Sequence, residues 1–329
     1  MHHKHFFHQN KIDHYHNQTM SDTLRQPTPP PPAPYIGRFA PTPSGELHLG
    51  SLVAALGSYL DAKAHGGLWR LRLDDLDAAR CKPATAWRIV QQLADHGLAP
   101  DGAVIWQSTR TAHYQAAYDH LNAAAEVYRC QCTRNTLRAA LNAGRVLDGV
   151  AGPIYPGTCL THPPAPAQAA GGRWRVPSEA ITLNDRFLGV ISQVLPHTLG
   201  DPLLRRSDGV FAYHLAEVVD NQAYRITDVV RGADLAPLTP VQIALHQALF
   251  PDSPPPRYGH LPLVLGADGR KLSKTNHAAP LTARTARQNL IAAASVLDLK
   301  TPVSNTPIET LLKAWTTQWA HSRLSPELK

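Results

Sequence analysis

No run in the 329-residue sequence is apolar enough, over enough length, to cross a bilayer as a helix. The first residues also lack the apolar core of a secretory signal. These absences exclude a helical membrane protein and lead us to expect a cytoplasmic one. Cysteine is scarce. There are four, Cys81, Cys130, Cys132 and Cys159, and the grouping of the last three suggests a metal rather than disulfides. No internal repeat is evident, which removes repeat architectures. What is present is a 43% apolar composition and a net charge of +7 with pI near 9.3. That is enough apolar matter for a sizeable core in one large or two modest domains. The positive balance favours a polyanionic partner, although the basic residues are spread along the chain.

Residues 1–34 carry six histidines, at 2, 3, 5, 8, 14 and 16, followed by Pro27, Pro29 to Pro32 and Pro34. This composition cannot bury a core and is expected to be a disordered His/Pro-rich tail. Met20 offers an alternative start. From Tyr35 the pattern changes. Strand 35–40, helix 49–64, strand 68–77, helix 83–97, strand 103–106 and helix 111–126 alternate, which predicts α/β architecture with a doubly wound parallel sheet. In such folds ligands sit at the carboxyl ends of strands, which puts His48 and Asp74, Asp75 and Asp77 on one rim. Beyond it we expect a small unit over 128–162, a flexible linker over 163–172 and a hairpin over 173–195. Residues 203–221 begin extended and become a helix. A strand over 223–235 ends at Arg231-Gly232. Thr239 is expected to cap the next helix, with Pro240 at its first position. A strand within 261–278 should lead through a turn on Ala267-Asp268-Gly269 to Lys271-Leu272-Ser273-Lys274, and 282–329 reads as helical.

Three stretches carry chemistry. In Arg38–Ser51, RFAPTPSGELHLGS, a strand end runs through Pro41, Pro43, Ser44 and Gly45 into a helix start at His48. Backbone N–H groups and the helix dipole make such a start an anion site, and His48 adds a donor. An ordinary βα turn has the same spacing. Cys130-x-Cys132 with Cys159 further on is a plausible zinc knuckle, and buried free cysteines are the competing reading. Its fourth ligand stays open at this point. His162 is the more usual ligand chemistry and Tyr155 the less usual. The third stretch is the late Lys271–Lys274 segment, a second anion-binding element.

PTPSGELHLGS and KLSK, in this order and some 220 residues apart, resemble the two nucleotide motifs of the class I aminoacyl-tRNA synthetases. RFAPTPSGELHLGS, LRLDDLDAAR, DGVFAYHLAEVVDN, ITDVVRGADL and GRKLSKTNHAAPL resemble the glutamyl branch in particular, over about residues 35–280. Only 55 residues follow Lys274, too few for the anticodon-binding region of a full glutamyl enzyme. The Cys-x-Cys … Tyr-x-x-x-Cys arrangement also resembles the zinc site of a truncated glutamyl paralogue, which turns the fourth-ligand choice to Tyr155 beside Cys130, Cys132 and Cys159.

The resemblance implies a Rossmann-like class I catalytic domain split into 35–127 and 201–280. Between the halves it implies a zinc-binding and acceptor-type insertion at 128–200. Helices over 281–329 follow, with no anticodon-binding domain. It implies a monomer that converts L-glutamate and ATP to glutamyl-adenylate without tRNA, then places glutamate on the queuosine base of tRNA(Asp). One structural zinc and the Mg²⁺ that accompanies ATP are the implied metals. By the same resemblance His48 and Lys274 are catalytic, and Gly50, Ser51, Lys271 and Ser273 join them around ATP. Arg38, Ala40, Thr42, Tyr213 and Arg231 contact glutamate. The ammonium contact falls on Asp74, where the family has Glu in an Arg-Ile-Glu-Asp pattern and this chain has the shorter Asp. Other readings are a minimal enzyme charging the 3′ end of tRNA, a non-catalytic RNA-binding or zinc-dependent interaction protein, and a nucleotidylyltransferase. The presence of His48 and Lys274 speaks against the second, and the paired arginines against the third.

Overall fold

The computed structural model describes residues 34–266, 279–302 and 305–324. The His/Pro-rich tail to residue 33, the turn at 267–269 and Lys271, Ser273 and Lys274 lie outside the described residues. The alternation expected from Tyr35 onward is present. β1 (Ile36–Phe39), α1 (Leu49–Ala64), β2 (Leu68–Leu73), α2 (Pro83–Asp95), β3 (Ile105–Trp106) and α3 (Thr111–Ala123) follow one another. α1 forms where the sequence spaces Leu52, Val53, Leu56 and Leu60 on one face, and all four are buried. It ends before Gly66, whose φ of +63° suits a glycine. α2 starts on Pro83, where the missing N–H costs nothing.

The next elements are β4 (Val127–Cys130), α4 (Arg134–Asn142), the two-residue strands β5 (Asp148–Gly149) and β6 (Gly152–Pro153), α5 (Thr158–Thr161) and β7 (Gly171–Trp174). After them come β8 (Ala180–Asp185), β9 (Gly189–Val194), α6 (Leu195–Thr198), β10 (Leu203–Arg205), α7 (Tyr213–Ala223), β11 (Asp228–Gly232), α8 (Thr239–Leu249), β12 (Arg257–Leu261), α9 (Ala286–Val296) and α10 (Ile308–Trp319).

β1 pairs in parallel with β2 from Ile36↔Leu68 to Phe39↔Leu71, and β2 pairs in parallel with β3. On the other flank of β1 stands β11. The Thr227 N–H donates to the Ile36 carbonyl at 2.9 Å, and the Ile36 N–H donates to Thr227 Oγ1 at 2.9 Å. β11 in turn pairs in parallel with β12. The chain therefore leaves β1 toward β2 on one side and returns as β11 on the other, which opens a crevice at the carboxyl ends of β1 and β11. α1 crosses under it so closely that a Cβ on Gly57 would lie 2.5 Å from Leu261 Cδ1 of β12.

Four local expectations are corrected. The hairpin is shorter than 173–195: β8 pairs with β9 from Ala180↔Val194 to Asp185↔Gly189. Residues 171–174 leave it to pair antiparallel with β4 and β10. The linker is accordingly structured at its end, where Gly171 and Gly172 belong to β7. Its earlier part is held by Arg129, whose guanidinium donates to the carbonyls of Pro164, Ala165, Pro166 and Gln168. The strand sought in 261–278 ends at Leu261, because its hydrogen-bonding partner β11 supplies only five residues. Thr239 is the first residue of α8 rather than its cap, and its hydroxyl is used elsewhere.

One carboxylate joins distant parts of the fold. Asp61, in α1, is fully buried. It accepts two bonds from Arg186 at 2.6 and 2.8 Å, one from the Tyr35 hydroxyl and one from Trp319 Nε1 at 2.9 Å. Burial alone would raise its pKa. The Arg186, Tyr35 and Trp319 donors outweigh that and hold it below the usual carboxylate value.

Candidate active site

A cavity of about 430 Å³ opens at the carboxyl ends of β1 and β11, between the Arg38–Ser51 loop, the start of α7 and the residues after β12. Arg38, Ala40, Thr42, His48, Gly50, Ser51, Tyr213 and Arg231 all line it. Eight residues chosen from three separate sequence stretches thus share one wall.

The loop is fixed from outside. The Asp74 N–H donates to the Pro41 carbonyl at 3.0 Å. Gln92, buried in α2, accepts from the Leu47 N–H at 2.9 Å and donates to the Leu281 carbonyl at 2.9 Å. Gln92 therefore holds the loop and the chain that returns at Leu281 together; in sequence it looks like any polar residue of a helix. His48 is the N-cap of α1. Its Nδ1 accepts from the Gly50 N–H at 3.1 Å, while its own N–H donates to Ser51 Oγ at 2.9 Å. An Nδ1 that accepts leaves the proton of the neutral ring on Nε2, so the ring keeps a donor. Part of the helix N-terminus is thereby satisfied by its own cap, and the imidazole N–H takes over as donor in the cavity wall.

Arg231 is held from four sides. Its Nη1 donates to the Tyr213 hydroxyl at 3.0 Å, its Nη2 to Thr239 Oγ1 and Gln242 Oε1 at 2.8 Å each, and its Nε to His260 Nε2 at 3.1 Å. His260 Nδ1 lies 2.6 Å from Asp185 Oδ2, with both residues buried. Nε2 accepts from Arg231 Nε, so the ring is neutral, as the burial that lowers its pKa favours, and its Nδ1–H donates to Asp185. This Asp185–His260–Arg231 chain fixes the guanidinium plane. No motif in the sequence marks it, because its members lie in β8, β12 and β11.

Glu217, on α7 and fully buried, is the other residue the sequence did not single out. It lines the cavity. Its Oε1 accepts from Arg38 Nη2 at 2.6 Å and lies 3.8 Å from Arg231 Nη1, while its Oε2 accepts from Arg72 Nη2. Burial opposes its charge, but the guanidiniums of Arg72, Arg38 and Arg231 outweigh burial and hold its carboxyl well below the usual range. Arg38 Nε is buried with no hydrogen-bond partner.

Asp74 lies behind this wall and is not a lining residue. Its carboxylate faces Arg72, with Nε to Oδ1 at 2.7 Å and Nη2 to Oδ2 at 3.3 Å. Burial pushes Asp74 up to about 6, against the pull of Arg72. Asp75 turns to Ser108, and Asp77 to Arg80 and Arg206. The three acids at the end of β2 thus turn to separate partners, Asp77 to two of them.

In the insertion the thiols of Cys130, Cys132 and Cys159 lie within 4.8 Å of one another. The Tyr155 hydroxyl is 3.6 Å from Cys130 Sγ and accepts from the Cys159 N–H at 2.8 Å. Gly157 permits this approach, taking φ +75° just before α5. His162 is exposed, and its ring meets Thr161 Oγ1 at 2.9 Å instead. Cys81 lies elsewhere, between the end of β2 and α2. Arg173 Nε donates to Cys130 Sγ at 3.1 Å, and its guanidinium stands over the Tyr155 ring at 3.8 Å. Burial first, and the neighbouring thiols next, push Cys132 up to about 12. At Cys159 burial is outweighed by hydrogen bonds, led by the Gln131 N–H, and the thiol falls below its usual value. Three sulfurs and a phenol oxygen at this spacing suit a cation such as zinc, which would remove the repulsion between thiolates.

Residues 36–289 match the family described as tRNA synthetases class I (E and Q), catalytic domain. The chain is similar to the glutamyl-Q tRNA(Asp) synthetase of Leptothrix cholodnii, 46% identical over 293 residues that cover 86% of this chain and 97% of that protein. It is similar at 47% identity over 288 residues to the enzyme of the same name from Bordetella bronchiseptica, covering 87% and 89%. Among solved structures it resembles a glutamate tRNA ligase from Elizabethkingia meningosepticum in complex with its amino acid, with TM-score 0.62 and 29% identity. That match covers 76% of this chain and 54% of the ligase, so the chain spans about half of the solved structure. No helix among the described residues is long and apolar enough to cross a membrane.

Proposed function

The chain belongs to the family of class I (E and Q) tRNA synthetases, and from that premise we propose that it activates L-glutamate with ATP and transfers it to the queuosine base of tRNA(Asp). An α-carboxylate oxygen of glutamate attacks the α-phosphorus of ATP, the bond to the pyrophosphate oxygen breaks, and glutamyl-adenylate forms. An oxygen of the modified base then attacks the acyl carbon and AMP leaves. Both steps depend on placing reactants and balancing charge.

The observation that carries this reading is the meeting of Arg38, Tyr213 and Arg231 with His48 in one cavity. Two guanidiniums on a wall suit a dicarboxylic substrate through paired charged hydrogen bonds. The unpaired Arg38 Nε is a donor that a substrate carboxylate would satisfy. Ala40 and Thr42 shape the loop around that substrate. His48, with Gly50 and Ser51 at the start of α1, would donate to phosphate oxygens of ATP, whose charge Mg²⁺ would share. Lys271, Ser273 and Lys274 complete the nucleotide clamp, with Lys274 on the leaving pyrophosphate. Cys130, Cys132, Cys159 and Tyr155 hold one zinc ion, whose chemistry is to tie the insertion (128–200) together. The two catalytic halves, 35–127 and 201–280, close around the cavity. In this reading the catalytic body receives the anticodon arm, in the cytoplasm.

The test is ATP–pyrophosphate exchange without tRNA, followed by acyl transfer to tRNA(Asp) with and without queuosine and to tRNA(Glu). Exchange with glutamate and ester formation only on the queuosine-bearing tRNA are expected. No exchange with glutamate, or charging of the 3′ end of tRNA(Glu), would overturn the reading.

A further inference from the structure

We propose that Glu217, not Asp74, receives the ammonium group of the bound amino acid. The inference deepens the glutamate reading above and rests on it. A zwitterion with two carboxylates asks for two cations and one anion at the same wall. The lining guanidiniums are those of Arg38 and Arg231. Among the described residues the lining carboxylates are Glu217 and Asp234, of which Asp234 is exposed and Glu217 is buried. Glu217 Oε1 sits between the two guanidiniums, 2.6 Å from Arg38 and 3.8 Å from Arg231. An amino acid whose carboxylates reach those arginines brings its ammonium to the acid between them.

Acceptor capacity leaves room for it. An ionised carboxylate offers about four acceptor positions. Glu217 uses three within the protein, two on Oε1 for Arg38 and Asn221 Nδ2 and one on Oε2 for Arg72, so one remains, on Oε2, for a substrate N–H. Position separates the two acids: Asp74 turns both its oxygens to Arg72 and does not line the cavity. Its role is to hold Arg72, which in turn holds Glu217. The two acids also differ in charge: the surrounding guanidiniums keep Glu217 ionised, whereas burial raises Asp74.

The experiment pairs variants with a substrate lacking the group in question. Glutarate keeps both carboxylates and has no ammonium. Glutamate KM in pyrophosphate exchange, and the inhibition constant of glutarate in the same assay, are measured for the wild type, Glu217→Gln, Glu217→Asp and Asp74→Asn. Calorimetric titration of both ligands replaces them where turnover is lost. Glu217→Gln should weaken glutamate on the order of 30-fold while glutarate changes by less than about threefold. Glu217→Asp keeps the negative charge among the arginines, so it answers the question if the glutamine variant does not fold. It should weaken glutamate about fivefold and spare glutarate. Asp74→Asn should shift both ligands by the same factor. Equal losses of glutamate and glutarate in the Glu217 variants, or a glutamate-selective loss in Asp74→Asn, would overturn the assignment. Wild-type protein without glutamate exchange would instead remove the glutamate reading itself.

Discussion

In the wall behind the cavity each buried charge meets an opposite charge of the same chain. Arg38, Arg72 and Arg231 face Glu217, Arg72 also faces Asp74 and Asp220, and Asp220 is shared with Arg110. In the insertion the three thiols have chiefly one another, the Tyr155 hydroxyl and a single guanidinium, Arg173. Both sites are buried and polar, yet one is complete on its own and the other collects donors of one sign. Buried charges left unpaired are costly, and so are several thiolates without a cation. The pocket is therefore largely preorganised before any ligand arrives, whereas the insertion gathers three thiols that a metal such as zinc could tie together. The two knots should fail separately and for different reasons.

Three perturbations test that separation, ranked by their effect on glutamate activation. Arg231→Ala should be the most damaging. It removes the guanidinium proposed to bind glutamate and orphans the acceptors on Thr239, Gln242 and His260. Glutamate KM should rise on the order of 100-fold, with about 1–3 kcal/mol lost from unfolding stability. Exchange kinetics and thermal melts measure both, and a change in KM below about fivefold would contradict the preorganised wall.

Chelation of the metal comes next. It should accelerate amide hydrogen exchange in β4, α4 and α5 while protection in β1 and β11 stays as it was, and glutamate KM should move less than about threefold. Equal loss of protection in both regions would erase the distinction between the knots.

The mildest test is pH. Asp74 has a folded pKa of about 6, above that of an unfolded carboxyl, so its charge costs stability at neutral pH, and acidification through 6 relieves that cost. Glu217, held well below the usual range, stays ionised throughout. Glutamate KM should therefore be flat from pH 8 to about 5. A rise centred near 6 would make Asp74 the acid that matters to the substrate.

Much of this was legible in the chain. Helix 49–64 appears as Leu49–Ala64, because its apolar spacing and its flanking glycine are local signals. Arg38, His48, Tyr213 and Arg231 were found through motifs, and the fold brings them to one cavity. Glu217 and His260 were not found. An acid inside α7 reads as a solvated face until β1 and β2 bring Arg38 and Arg72 against it, and His260 acquires its role only from Asp185 75 residues away. The glycines at 171–172 read as a linker, since the need for a residue without a side chain comes from a distant ring: a Cβ on Gly172 would lie 2.0 Å from the Tyr118 hydroxyl. Thr239 read as a cap because its type fits one, while its hydroxyl was already committed to Arg231. For Glu217, His260 and Gly172 the deciding partner lies far along the chain, where periodicity carries no information; for Thr239 it lies eight residues away, across the turn from β11.

Asp61 bears on how the protein is made. Its donors come from Tyr35 near the start of the described chain, from Arg186 after the hairpin, and from Trp319 near its end. During synthesis the carboxylate is enclosed in stages, and the indole of Trp319 can reach it only once the chain through residue 319 has left the ribosome. The last contact to Asp61 therefore forms late, and a chain cut before α10 would lack both that bond and part of the cover over α1.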